Sequence, residues 1–273
     1  MTTIAFMLYW IKTGLYGAAL VSGFFIRNNE LHDNNPRRFL FAAVFVHLIF
    51  IIMYVIAGGH TPAHVRYDAS VAQSFILGVL VLFTFKRQAS KLSMSLAIGT
   101  ILLISIIGIY KTNLGLEPHM PSDRGITFLF FHLKDIAVAC FACCFSLSAA
   151  SLIRPSENES DTLKANGAIH MYALWGFIMF SVSQLFGSIW AVIGGYGDVW
   201  IWRPMHLYSA MIWIFYAAML HTGKSVAWPE KTAPIMGVIG FVLIIWWWLF
   251  FDFVVKPAWH SAFLEAGRTG GLV

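Results

Sequence analysis

Imidazole ligates transition metals at neutral pH, and a histidine immersed in an apolar membrane segment carries a free-energy cost that a partner or a function must offset. The chain holds ten histidines. Four fall in or beside long apolar runs: His47 inside the second run, His132 a short way into the fifth, His221 at the end of the seventh and His260 just beyond the eighth. They form two pairs at two depths, His132 with His260 near one membrane face and His47 with His221 at middle to opposite depth. A zinc site usually takes three or four protein ligands, often acids or thiolates, and neither layer supplies them. Haem iron needs only two axial imidazoles, and a hydrocarbon interior suits the macrocycle. Eleven tryptophans and 24 phenylalanines offer flat apolar walls, besides the interfacial anchoring that aromatics give membrane proteins generally. The chain has no Cys-x-x-Cys-His, so the expected group is non-covalent haem b.

Other polar groups stand in apolar surroundings. Lys134 and Asp135 follow His132 within its run and can neutralise one another, meet a haem propionate, or line a quinone or proton site. Lys12 inside the first run is expected to snorkel or to contact a partner helix. Cys140, Cys143 and Cys144 share one apolar run and read as small-residue helix packing, with no disulfide framework.

The elements that must position these groups are membrane helices. A composition of 59% hydrophobic and 11% charged residues, with mean hydropathy +0.72, belongs to an integral membrane protein. It excludes a nucleotide-binding domain, a secreted disulfide scaffold and a soluble enzyme. The formal charge of +5 does not point to nucleic acid, because the cations are scattered through short loops. Hydropathy marks eight spans, at about Thr3 to Phe25, Phe39 to Ala57, Tyr67 to Phe85, Leu92 to Tyr110, Ile126 to Ile153, Ala168 to Ile193, Met205 to His221 and Ile235 to Val255. The expected fold is therefore an all-α bundle of about eight transmembrane helices forming a single domain over 1–273. Ten loop cations, among them Arg37, Arg38, Arg154 and Lys164, lie on the side reached after the odd-numbered spans, against six on the other. The positive-inside rule makes the richer side cytoplasmic and both termini extracytoplasmic, in a bacterial-type inner membrane. The polar stretch Arg154 to Gly167 reads as a cytoplasmic loop.

A set of ordered landmarks resembles the haem-handling cytochrome c assembly membrane proteins, the system II synthases. Gly187-Ser188-Ile189-Trp190-Ala191 followed by Gly195 to Pro204 is similar to their tryptophan-rich segment. Tyr216 to Thr222 resembles their Tyr-x-x-x-Leu-His-Thr helix end, and Trp259-His260-Ser261 their external Leu-His-Ser. Upstream, His47 with Gly59-His60-Thr61-Pro62, and Phe131-His132, resemble their transmembrane histidine, Gly-His-x-Pro loop and Ile-His helix start. The resemblance covers about residues 40–262. It implies eight helices, an outer haem flanked by His132 and His260, and an inner haem held by His47 and His221, with Trp200 and Trp202 beside the macrocycle. The chain departs from the motif at Arg203, which replaces its aspartate, and at Met205-His206, which replace Lys-Glu. Arg203 is suited to pair with a haem propionate.

Two functions follow. In the first, retained haems carry electrons between the quinone pool and a c-type cytochrome partner, single- or multihaem, as a membrane subunit of a quinol-cytochrome c type complex. The lost aspartate favours it. In the alternative, the chain transports or presents haem for cytochrome c assembly, as the resemblance implies.

Overall fold

The structure, a computed structural model, describes residues 3–25, 35–58, 66–88, 90–110, 125–155, 158–193, 204–222 and 231–250. They form eight helices: α1 Thr3–Phe25, α2 Asn35–Gly58, α3 Arg66–Gln88, α4 Lys91–Tyr110, α5 Gly125–Ile153, α6 Glu159–Ile193, α7 Pro204–His221 and α8 Thr232–Phe250. The chain is an all-helical membrane bundle, and no strand occurs among the described residues. Five helices, α1, α2, α4, α5 and α6, contain stretches long and apolar enough to cross a bilayer; 69–85 and 232–246 are shorter apolar helices.

Local signals set several helix starts. Ser90 caps α4, its Oγ accepting the Ser93 amide at 3.2 Å. Pro204 opens α7, where its missing N–H removes nothing from the helix. At α6 the expectation of a loop from Arg154 to Gly167 needs correction, because the helix begins at Glu159. Asn158 accepts the Ser160 amide through Oδ1 at 3.1 Å, and Glu159 and Asp161 place negative charge against the positive end of the helix dipole. Hydropathy records immersion in lipid, and these first turns are helical without being immersed.

α5 is the buried axis. Every side chain from Ala137 to Ala150 except Phe145 is buried, and the helix packs against α3, α4, α6 and α8. Its run of Ala, Ser and Cys lets neighbouring backbones approach closely, and its three cysteines are free and buried, in keeping with a packing role. Two glycines complete the approach: a Cβ on Gly176 of α6 would lie 2.5 Å from the Phe141 ring, and one on Gly237 of α8 would lie 2.2 Å from Ser148 Oγ. By contrast, α2 and α6 present large apolar side chains outward, Phe41, Phe45, Ile56, Leu174 and Leu185 among them, as a surface solvated by lipid requires. Among the described residues α2 packs only against α1 and α3, and α7 only against α6 and α8. The terminal face is here the one at which α1 begins; α3, α5 and α7 also begin there.

Candidate functional site

The helices carry the candidate histidines to three places. His47 sits midway along α2 and is fully buried. Its Nδ1 lies 3.2 Å from the Tyr16 hydroxyl of α1, and the rings of Tyr16, Phe50 and Phe75 surround it with centroids 5.5–6.2 Å away. Among the described residues its Nε2 has no hydrogen-bond partner. Lys12, one turn before Tyr16, is also fully buried, and its Nζ stands 4.0 Å over the Tyr9 ring, without a hydrogen-bond acceptor among the described residues. The expectation that Lys12 snorkels therefore fails. Its place near the middle of α1 leaves the ammonium too far from either interface, so the tyrosine ring offers it partial compensation.

His132 lies in the second turn of α5, at the terminal face, partly exposed, with its ring 4.1 Å from that of Phe128. An aromatic surface borders it where α5 meets the end of α6: Phe130 stacks with Trp190 at 6.0 Å, and Phe131 meets Trp190 at 6.2 Å. Gly187, which faces Phe130, and Ser183, whose Oγ donates to the Phe130 carbonyl at 2.8 Å, hold the two helices together. Lys134 Nζ stands 5.0 and 5.3 Å from the centroids of Phe131 and Phe130. Asp135 points elsewhere, into the bundle, where it accepts a 2.7 Å hydrogen bond from Gln73 of α3. Trp190, Gln73 and Tyr16 are contacts that sequence spacing did not reveal, since each depends on inter-helix register. Trp200, Trp202, Arg203 and His260 lie outside the described residues.

His221 ends α7 at the face opposite the terminal face, where it is exposed. Its Nδ1 is 2.7 Å from the Ala217 carbonyl. A carbonyl only accepts, so Nδ1 carries the proton and the neutral ring keeps its lone pair on Nε2, the arrangement found in histidines that ligate metals. Thr222 closes the helix by donating through Oγ1 to Met219 O at 2.7 Å.

Contacts between helices fix relative depth. His47 is level with Phe75 of α3; Phe75 stands two residues past Gln73, which bonds Asp135 of parallel α5, so the level on α5 is about Ala137. Phe141 of α5 meets Phe180 and Gly176 of α6, and Phe177 and Ser181 of α6 meet Trp213 of α7. Ala137 is four residues before Phe141, so His47 lies near the level of Val182 on α6 and Ala210 on α7. His221 is about eleven residues further on, ~16 Å along the helix at 1.5 Å per residue. The structure does not bring His47 and His221 to one level, and α2 and α7 share no contact among the described residues. No group of three or more metal-ligating side chains occurs among the described residues either.

The family model described as Cytochrome C assembly protein matches residues 33–257. The chain belongs to that family. Similar curated proteins include the cytochrome c biogenesis protein CcsA of Synechococcus sp. (strain CC9605), 35% identical over 69 residues, covering 25% of this chain and 22% of that protein. The cytochrome c biogenesis protein CcsA of Prochlorococcus marinus (strain NATL1A) is 34% identical over 70 residues, 26% of this chain and 22% of the relative. With the P. marinus (strain MIT 9215) protein of the same name the match is 29% over 98 residues, 34% and 30% respectively. The chain aligns with about a fifth to a third of these relatives' length. Family membership agrees with the resemblance, and it backs the assembly alternative over electron transfer between quinone and cytochrome. α1, which carries Lys12 and Tyr16, lies before the matched region.

Proposed function

We propose that this membrane protein binds haem b and presents it at the external face for cytochrome c assembly. The observation that carries the proposal is the position of His132: it stands at the terminal face beside the Phe130–Trp190 surface, at the end of α6 that the tryptophan-rich segment follows in sequence. A haem in this place would supply an iron taken by two imidazoles, His132 and His260. The chain's own residues do the rest. Phe130, Phe131 and Trp190 give an apolar wall, Lys134 brings positive charge for the propionates, and the sequence supplies Trp200, Trp202 and Arg203 shortly after α6. The cation asymmetry of the loops supports an external terminal face and a cytoplasmic-membrane location. The recipient is an apocytochrome bearing Cys-x-x-Cys-His. The test is transfer: the purified chain, loaded with haem and a reductant, is given such a peptide alone and together with extracytoplasmic assembly proteins. Covalent c-type product supports the reading, and its absence in both arms overturns it.

Arg203 favours one second reading, electron transfer from quinol through retained haems to a c-type cytochrome, with Lys134 near the quinone. An arginine in place of the motif's aspartate suits a haem that stays. Reduction of the bound haem by quinol ahead of a partner c haem, without any covalent product, would establish that reading in place of the first.

A further inference from the structure

We infer that Lys12 and His47 form a binding site, between α1 and α2, for a neutral carbonyl-bearing molecule that dissolves in the membrane, the headgroup of an isoprenoid quinone. The inference goes beyond haem presentation. It places no haem at His47, and it draws on a helix, α1, that lies before the family match.

Buried donors without acceptors carry it. Lys12 and His47 are both fully buried, and neither Lys12 Nζ nor His47 Nε2 has a hydrogen-bond partner among the described residues. A run of contacts joins them. Lys12 Nζ lies 4.0 Å over the Tyr9 ring, Tyr9 meets Phe50 at 5.6 Å, and Phe50 meets His47 at 6.2 Å. On the other side His47 Nδ1 is 3.2 Å from the hydroxyl of Tyr16, one turn from Lys12 on α1. The Lys12 charge is near enough to act on the His47 ring. Tyr16 fixes what that ring offers. If Nδ1 donated to the buried phenol, the phenolic proton and the Nε2 lone pair would both be left over; with the hydroxyl donating, only the Nε2–H is. His47 therefore presents a proton beside an amino group that also donates. Ser105 of α4, whose carbonyl takes the Tyr9 hydroxyl at 2.8 Å, adds a third group, an Oγ without a partner among the described residues. Such donors are costly in an apolar interior until an acceptor arrives.

Depth and surroundings define the acceptor. Lys12 is nine residues from the start of α1 and His47 eleven from the end of α2, roughly 14 and 16 Å from the terminal face in a hydrocarbon core of ~30 Å. An inorganic anion or a carboxylate headgroup would have to shed its hydration shell to reach that level. A quinone ring would not. It is neutral, flat and lipid-soluble, and its two carbonyl oxygens only accept. The rings of Tyr9, Phe50 and Phe75 suit its apolar body, with a few donors to orient it. Among the described residues α1 packs only against α2 and α4, and Ile11 of α1 and Phe45 of α2 face outward at 51% and 56% exposure. Entry is thus from the bilayer, between α1 and α2.

The full chain, purified in detergent and freed of lipid-soluble ligands, would be titrated with short-chain benzoquinone and naphthoquinone analogues. Quenching of tryptophan fluorescence reads binding, and infrared difference spectroscopy reads the carbonyl stretch of the bound quinone. Saturable binding should weaken roughly tenfold or more in Lys12→Met and in His47→Phe, each of which removes a donor to a carbonyl. Tyr16→Phe, which leaves the imidazole and frees its tautomer, should act more weakly. Lys12→Gln keeps an N–H donor and should retain more affinity than Lys12→Met, which separates a lost hydrogen bond from a lost fold. The carbonyl band of the bound quinone should lie below its position in detergent and move back towards it in Lys12→Met. Equal affinity in Lys12→Met and the parent overturns the inference, as does loss of binding in Lys134→Met with Lys12→Met unaffected. Decanoate that binds as tightly as the quinone and displaces it would make this a carboxylate site and refute the quinone. A parent chain without saturable quinone binding refutes it outright, and leaves haem presentation at His132 untouched.

Discussion

Gln73 of α3 donates a 2.7 Å hydrogen bond to the carboxylate of Asp135 of α5, and both side chains are at most 1% exposed. The bond joins two parallel helices across the centre of the bundle, where water cannot replace a lost partner. Among the sequence candidates Asp135 is thus a structural acid facing inward, and Lys134 alone is directed to the aromatic surface.

Gln73→Leu should lower stability by about 1–3 kcal/mol, the cost of leaving a buried acceptor short of a donor. Asp135→Leu alone should do the same to the Gln73 amide. The double variant should be less damaged than the two single effects added together, because neither polar group then remains. Thermal unfolding in detergent, followed by helical circular dichroism, reads all three; strict additivity would show that the bond does not couple the helices.

Lys12 gives a prediction of opposite sign. Among the described residues its buried ammonium meets no hydrogen-bond acceptor and has the Tyr9 ring as its favourable neighbour. Lys12→Met keeps the side chain's length and removes the buried charge, so the melting temperature should rise, by the equivalent of about 1–4 kcal/mol. A fall would mean that the ammonium has an anionic partner when the protein is in the membrane.

Gly237 tests the close approach of α8 to α5. Gly237→Ala should destabilise by about 1–3 kcal/mol, since the new Cβ would meet Ser148 Oγ at 2.2 Å and Cys144 Sγ at 3.2 Å. Ser148→Ala in the same chain removes the nearest atom and should recover part of the loss. Equal stability of the single variant and the parent would show that the helices separate freely at this point.

The helices were legible because a run of some twenty apolar residues announces its own immersion, and α1, α4 and α5 fall within a residue of the hydropathy spans at both ends. The start of α6 was not, since a capped, polar first turn carries no hydropathy signal. Chemistry-bearing residues could be listed from the sequence, but pairing them needs register. Ring contacts from helix to helix, which the sequence does not show, are what set the relative depths of His47 and His221. The burial of Lys12 against Tyr9, and of Asp135 against Gln73, likewise depends on which face each helix turns inward. Periodicity marks that face poorly when the outward face is apolar too.

The external position makes the last prediction. If haem is presented there by His132 and His260, then His132→Ala should cut covalent transfer to a Cys-x-x-Cys-His acceptor more than tenfold, with order-of-magnitude losses typical when a directly coordinating group is removed. Imidazole should restore part of it by occupying the vacated place. Trp190→Ala should act more weakly, about two- to tenfold, because it removes one wall of the surface and no ligand, at a cost near 1 kcal/mol for one aromatic contact. The order of these effects distinguishes a haem site from a protein-docking face. A docking face would be hurt more by loss of the tryptophan than of the imidazole, would not respond to imidazole, and would leave the haem spectrum of His132→Ala unchanged.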